Sequence, residues 1–260
     1  MKNKRAAAIL QHFHASEQEF VQRIVSVRES VLDRSRPQLL SFMSVRELEI
    51  IEILCSKEVY VYADGAFIDS ERKRVLITPF EQTDPQFSIV VGELIFQEKY
   101  YDIDHRDVLG AILAKGIERR NIGDIRIRDN KIQIAMEQSF FPYLEQELTQ
   151  IGRAHVVFER IVPADEYIVL ENTFNEYEII VSSLRLDTLV AKLCNVNRTK
   201  AKLMIERGFV QVNWQVIEQS HAVVKDTDIL SIRRFGRFYL EQVKGRTKKD
   251  NYVLNVKAHA

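Results

Sequence analysis

Asn197-Arg198-Thr199-Lys200-Ala201-Lys202-Leu203-Met204-Ile205-Glu206-Arg207-Gly208 carries its own start and stop signals. An asparagine side chain can accept a backbone N–H left unpaired in a first helical turn, and a glycine supplies the left-handed residue that ends many helices, so the stretch reads as a bounded helix. Ala201, Met204, Ile205 and Gly208 follow the i, i+3, i+4, i+7 spacing and define one buried face. Arg198, Lys200, Lys202 and Arg207 fall on the other sides, with Glu206 the only acid, which leaves a cationic solvent face suited to phosphate. Upstream, Leu184-Arg185-Leu186-Asp187-Thr188-Leu189-Val190 reads as a shorter helix. Downstream, Val210-Gln211-Val212-Asn213 reads as a strand entering a turn.

Together, the Arg185-Leu186-Asp187 opening, the Arg198, Ala201, Met204, Ile205, Gly208 helix and the Val210-x-Val212-Asn213 strand resemble the RNA-binding domain named after ribosomal small-subunit protein S-four. The chain departs from that pattern at three places. Asn197 stands where serine is usual, and Trp214 and Thr227 stand where glycine is usual. Val212-Asn213-Trp214 followed by Arg234-Phe235-Gly236-Arg237-Phe238 is similar to one subfamily, the YlmH family of Gram-positive bacteria. Ile117-Glu118-Arg119-Arg120-Asn121-Ile122-Gly123-Asp124 resembles that family's middle segment. The resemblance implies a ribosome-associated role on the large subunit near ribosomal RNA and tRNA, in rescue of stalled translation, with a link to cell division.

The charge distribution points the same way. Formal net charge is zero over 260 residues, but from Ser182 onward there are 15 Lys and Arg against 7 Asp and Glu, a net +8 that leaves −8 on residues 1–181. A basic tail domain beside an acidic remainder suits a polyanion partner for one end only. Cys55 and Cys194, far apart in sequence, outline neither a disulfide framework nor a cysteine metal site, which fits a reducing compartment. Phe87 to Phe96, the longest apolar run, is far too short to span a bilayer, and His12, His14 and Glu17 break any secretory core after Lys2–Leu10. The expected location is cytoplasmic.

In chain order, Ser16-x-x-Glu19 reads as a capping box for an amphipathic helix ending before Pro37, and Ser44-x-x-Glu47 as a second box. Val59–Tyr62 and Val75–Ile77 read as a hairpin through the Asp64-Gly65 region. His12 and His14 would not share a helix face, so no metal pair is expected. Next, Phe87–Phe96, a helix capped by Asp104, a hairpin across Asp129-Asn130, a helix ending at Gly152 and His155–Ile161 give βαββαβ, a ferredoxin-like, RRM-like order. An RNA-recognition sheet needs stacking aromatics on its third strand. Lys131-Ile132-Gln133-Ile134-Ala135-Met136 has none, so this domain reads as a scaffold or protein-contact module, with Arg119, Arg120, Arg126 and Arg128 as secondary phosphate candidates. The expected class is a multidomain α+β chain: a small N-terminal domain over 1–80, the ferredoxin-like domain over 81–165, a linker over 166–181, and the S-four-type domain over 182–260.

The RNA-binding candidates are Arg185, Arg198, Thr199, Lys200, Lys202, Arg207, Asn213, Trp214, Arg233, Arg234, Arg237, Lys248 and Lys249. Each phosphate contact would release condensed counterions, making affinity fall steeply with salt. Asp187 reads as a helix-start cap and partner of Arg185. Trp214 divides between burial under the loop and stacking on an exposed base. Arg233, Arg234 and Arg237 read as borne on one long strand, Ile229–Leu240, either as contacts or as an ordinary charged edge strand. Phe235 and Phe238 read as core.

Enzymatic readings find little support. Arg185-Leu186-Asp187 looks like the segment around the catalytic aspartate of pseudouridine synthases, but that catalytic domain is large and follows the binding domain, whereas only 73 residues follow Asp187. No Gly-x-Gly, Walker loop, Gly-x-Ser-x-Gly or His-Glu-x-x-His occurs. His105-Arg106-Asp107 sits at a predicted helix start, where Asp serves the helix dipole. The expectation is a non-enzymatic protein without cofactor, binding structured RNA on the large ribosomal subunit. Alternatives are a cell-division adaptor docking proteins through its N-terminal domains, with incidental RNA affinity, and a pseudouridine-synthase-type modifying enzyme.

Overall fold

The computed structural model describes residues 10–55, 58–161, 166–170 and 174–259. It divides into two compact units, 1–170 and 171–260. Most of Lys2–Leu10, residues 162–165 at the end of the expected ferredoxin-like domain and residues 171–173 of the expected linker lie outside the described residues.

The first unit begins with α1 (Gln18–Arg34), β1 (Gln38–Met43), α2 (Val45–Cys55), β2 (Tyr60–Asp64) and β3 (Lys73–Thr78). The strands form a three-stranded antiparallel sheet in the order β1-β3-β2, so the expected hairpin gains a third strand, Gln38–Met43. The cap of α1 also differs from expectation. His14 and Glu17, rather than Ser16 and Glu19, form the capping box, on a single 3₁₀ turn ahead of the helix. Glu17 is held there by Arg46 of α2, whose Nε lies 2.8 Å from Glu17 Oε1, a partner 29 residues away. The second box is formed as read: Ser44 N–H donates to Glu47 Oε2 at 2.7 Å and Glu47 N–H to Ser44 Oγ at 3.3 Å.

The unit continues with β4 (Ile89–Phe96), α3 (His105–Ala114), β5 (Ile122–Arg128), β6 (Lys131–Glu137), α4 (Phe141–Glu147), β7 (Gln150–Ile151) and β8 (Ala154–Arg160). The sheet order is β5-β6-β4-β8-β7, all antiparallel, which is the ferredoxin-like arrangement with one short added edge strand. Asp129 and Asn130 both have positive φ between the Arg128–Lys131 pair, a type I′ hairpin. Asp104 caps α3 by accepting from the N–H groups of Arg106 and Asp107, and Asp107 accepts from Asp104 in return. The His105-Arg106-Asp107 cluster is thus part of a helix start. One face of this sheet packs Ile132, Ile134, Met136 and Phe158 against α3 and α4.

The opposite face, which an RNA-recognition domain would use, is covered over β5 and β6 from within the same unit. Phe42 and Phe67 pack on Val91 and Ala135. Arg126 donates to the carbonyls of Ile68 and Ile168, Arg128 to that of Val169, and Gln133 both receives the Ile168 N–H and donates to the Glu166 carbonyl. Arg74, buried on β3, donates to the Leu40, Phe87 and Ser88 carbonyls and pairs with Glu137 of β6 at 3.2 Å.

The second unit holds β9 (Phe174–Val181), α5 (Leu186–Leu193), α6 (Arg198–Glu206), β10 (Val210–Val212), β11 (Gln215–Val216), β12 (Ile229–Ile232), β13 (Gly236–Arg246) and β14 (Tyr252–His259). Its antiparallel sheet runs β11-β10-β12-β13-β14-β9. The region expected as linker over 166–181 is therefore in part a sheet strand, because Phe174–Val181 pairs along its length with β14. Leu186, Leu189, Val190, Ala201, Ile205, Leu230, Leu254 and Val256 form the core between the helices and the sheet. Among the described residues no helix is long and apolar enough to cross a membrane, and no cluster of His, Cys, Asp and Glu could hold a metal.

Candidate nucleic-acid interface

The two helices meet at Asp187. Leu186 N–H donates to the Ala222 carbonyl and Asp187 N–H to the Ser220 carbonyl, so the loop after β11 anchors the start of α5. Asp187 is buried, yet its carboxylate faces two guanidinium groups. Arg185 Nε lies 3.1 Å from Oδ1 and its Nη2 2.9 Å from Oδ2, a bidentate pair. Arg198, the first residue of α6, brings its Nη2 to 2.8 Å from the same Oδ2. Burial opposes ionisation of Asp187, but the two arginines outweigh it and hold the carboxyl well below the usual carboxylate range. Both arginine side chains remain about half exposed, so each keeps donors for a further anion.

Asn197 Oδ1 accepts the Lys200 N–H at 2.8 Å, and Gly208 takes φ +69°, as the sequence led one to expect. Thr199, Lys200, Lys202 and Arg207 are exposed; Lys202 lies 3.6 Å from Glu206 one turn on, a solvent-screened pair of little energetic weight. The first turn of α6 therefore places Arg198, Thr199 and Lys200 beside Arg185.

The other candidates are distributed differently. Asn213 and Trp214 both have positive φ and form a two-residue type I′ turn between β10 and β11. The Asn213 side chain is engaged: it donates to Asp228 at 2.8 Å and accepts from Ile229 N–H at 2.9 Å, clamping the turn to the start of β12. Trp214 is half-buried, with the Arg237 guanidinium 5.8 Å from its ring centre.

The long strand expected from Ile229 to Leu240 is interrupted. Arg233, Arg234 and Phe235 form a hairpin loop between β12 and β13, with Arg234 at φ 72°, and both strands are interior to the sheet rather than at its edge. Arg233 stacks on Phe209 at 5.1 Å. Phe238 is core, as expected, whereas Phe235 is exposed. Lys248 and Lys249 are exposed on the turn at the other end of β13, roughly 30 Å from the Arg233–Phe235 loop for a strand of that length. The basic residues thus do not form one patch.

Among the secondary candidates of the first unit, Arg119 is turned to the Ile122 and Gly123 carbonyls, with burial drawing its pKa down to about 10. Arg126 is buried, and Arg120 is exposed but paired with Glu118 at 2.9 Å. Sequence reasoning missed Ser182, Lys192 and Asn195, which line an open cleft beside Arg198. The available signal was an asparagine just past the apolar pattern of α5, a residue suited to the left-handed end of a helix, and Asn195 does take φ +51° there.

Comparison with known proteins agrees with this architecture. Residues 82–165 match a family model described as "Putative RNA-binding domain in YlmH", and residues 184–230 match the S4 domain. The chain is 31% identical over 254 residues to the ribosome-associated protein quality control protein P2 of Bacillus subtilis (strain 168), covering 94% of this chain and 96% of that protein. The structure of cell division protein ylmH from Streptococcus pneumoniae is similar, with a TM-score of 0.52 and 28% identity, covering 61% of this chain and 98% of that one. With two thirds of the full-length relative far exceeded in coverage, and both domain matches in the expected order, the chain belongs to the YlmH family.

Proposed function

We propose that this protein is a non-enzymatic RNA-binding factor that associates with the ribosome through its S-four-type domain. The observation that carries this reading is the Arg185–Asp187–Arg198 cluster: a buried carboxylate fixes two half-exposed guanidinium groups next to Thr199 and Lys200, a geometry suited to consecutive phosphates of a folded RNA. The finer reading follows the relatives. Ribosome association in protein quality control is supported by the name of the Bacillus relative and a cell-division link by that of the Streptococcus neighbour; to these the reading adds contact with ribosomal RNA and tRNA on the large subunit when translation stalls.

The middle domain serves in this reading as a scaffold, since much of its open sheet face is covered by its own unit. The test is sedimentation of cell extract at low and moderate salt, for wild type and for the Arg198→Glu/Lys202→Glu double variant. Salt-sensitive migration of the wild type with the large subunit, lost in the folded variant, is the expected result. Wild type remaining at the top of the gradient in both salts would sink the ribosome assignment.

A further inference from the structure

Beside the arginine pair lies an open cleft of about 470 Å³, within the size range of small-ligand pockets. Ile180 and Ala191 give it apolar walls; Ser182, Lys192, Asn195 and Arg198 give it a polar rim, and among the described residues no acidic side chain lines it. Ile180 is 51% exposed, an apolar side chain left open to solvent at the end of β9. Among the described residues, the Ser182 hydroxyl, the Lys192 amine and the Asn195 amide make no side-chain hydrogen bond or ion pair within the protein. The cleft is coupled to the arginine cluster through Thr188 on its wall, whose hydroxyl lies 3.3 Å from Asp187 Oδ1. Arg198 belongs to both, reaching Asp187 with one nitrogen while its side chain borders the cleft.

This is the layout a nucleotide requires: cationic groups for the phosphate, apolar surface for a base face, and uncommitted donors and acceptors for a base edge. A paired base within an A-form helix must be unpaired and unstacked before it can leave, so a nucleotide that is already unpaired enters at the least cost. We propose that the cleft receives a single unpaired nucleotide of the RNA whose backbone lies on Arg185 and Arg198. This rests on the RNA-binding reading above and adds a preference to it. The domain selects a bulged or looped site rather than a plain helix.

The experiment uses the full chain and two RNA hairpins, each closed by a non-nucleotide linker in place of a loop and identical except for one bulged nucleotide, with 2-aminopurine at the bulge in a labelled copy. Binding is measured by anisotropy for the wild type, for Ala191→Phe, which fills the cleft, and for Asn195→Gly, which removes the amide while accepting the φ of +51° at that position. The wild type should bind the bulged hairpin about tenfold more tightly than the plain one. Both variants should bind the plain hairpin as the wild type does and lose the preference, and the 2-aminopurine emission should respond to the wild type but not to Ala191→Phe. Should Ala191→Phe prove unfolded by circular dichroism, Asn195→Gly carries the test. Equal wild-type affinity for the two hairpins, or a preference that survives in the folded variants, overturns the cleft assignment and leaves general RNA binding standing. Failure of the wild type to bind either hairpin overturns the RNA-binding reading itself.

Discussion

Asp187 Oδ2 lies 2.8 Å from Arg198 Nη2, joining the first turns of two helices through one buried carboxylate. Arg185 shares that oxygen at 2.9 Å. The charge is buried but its partners are not, so the carboxylate acts as an anchor from which two guanidinium groups project.

Removing that anchor should cost both stability and binding. Asp187→Asn keeps the shape and loses the charge-assisted bonds, a loss of about 2 kcal/mol at pH 7. Because the folded carboxyl titrates below its ordinary value, its contribution is present above the unfolded value of about 3.9 and is lost as pH falls below it. The gap between wild type and variant in urea unfolding should therefore narrow as pH drops from about 4 towards 2. A gap independent of pH would contradict the pairing.

Phosphate contact by the first turn of α6 has a salt signature. Arg198→Ala and Lys200→Ala should each lower RNA affinity for all sequences alike and reduce the slope of log affinity against log salt by about 0.7–0.9. Arg126→Lys, with its guanidinium committed to carbonyls of its own unit, should leave the slope unchanged. Titrations at several salt concentrations measure all three.

Thr227 holds φ 79°, at the position where the S-four pattern leads one to expect glycine, and it is β-branched. Left-handed backbone at such a residue is strained, and glycine relieves that at the expense of a more flexible unfolded chain. Thr227→Gly should raise the stability of the C-terminal unit by about 1 kcal/mol. Thermal melting of the two chains decides it.

In the first unit, Arg74→Ala should be severe. It strands Glu137 at a buried position and frees the Leu40, Phe87 and Ser88 carbonyls. A loss of about 3–5 kcal/mol is expected for breaking a buried pair on one side. A variant with near wild-type urea resistance would show that the pair contributes little.

Both thiols should be inert in the native state. Burial pushes Cys55 and Cys194 up to about 11, leaving almost no thiolate at neutral pH. A thiol reagent at pH 7.5 should label neither until denaturant is added; stoichiometric labelling of folded protein would contradict their burial.

Much of this was legible in advance because it is local. The Asn197 and Ser44 caps, the Asp104 cap and the Asp129-Asn130 hairpin depend on residues within four positions of one another and formed as read, and the buried face of α6 formed over Ala201, Met204 and Ile205, with Gly208 half-buried beyond the helix end. The failures are equally instructive. His14 replaced Ser16 as the cap because Arg46, 29 residues beyond Glu17, fixes that carboxylate. The strand Gln38–Met43 was missed because Gln38-Leu39-Leu40-Ser41-Phe42-Met43 lacks clean alternation, its inner residues being shared between two cores. The break at Arg233–Phe235 was hidden by apolar residues on both sides of a loop that only the Ile232–Gly236 pairing reveals.

By itself the sequence determined most of the helices, the Asp129-Asn130 hairpin and the cationic face of α6, since these follow from short-range hydrogen bonding and periodicity, and its residue types and motifs gave the charge asymmetry and the family resemblance. Only the tertiary structure decided which charges act together. It brought Arg185 and Arg198 onto one carboxylate and opened a cleft at their side, and it committed Asn213 to its own turn. It also drew Arg126 inward and separated Lys248 and Lys249 from the Arg233–Phe235 loop by the length of β13. The reason is physical: a side chain's partner across a fold is chosen by chain topology and burial, and an arginine that finds a buried carbonyl is no longer available to a phosphate.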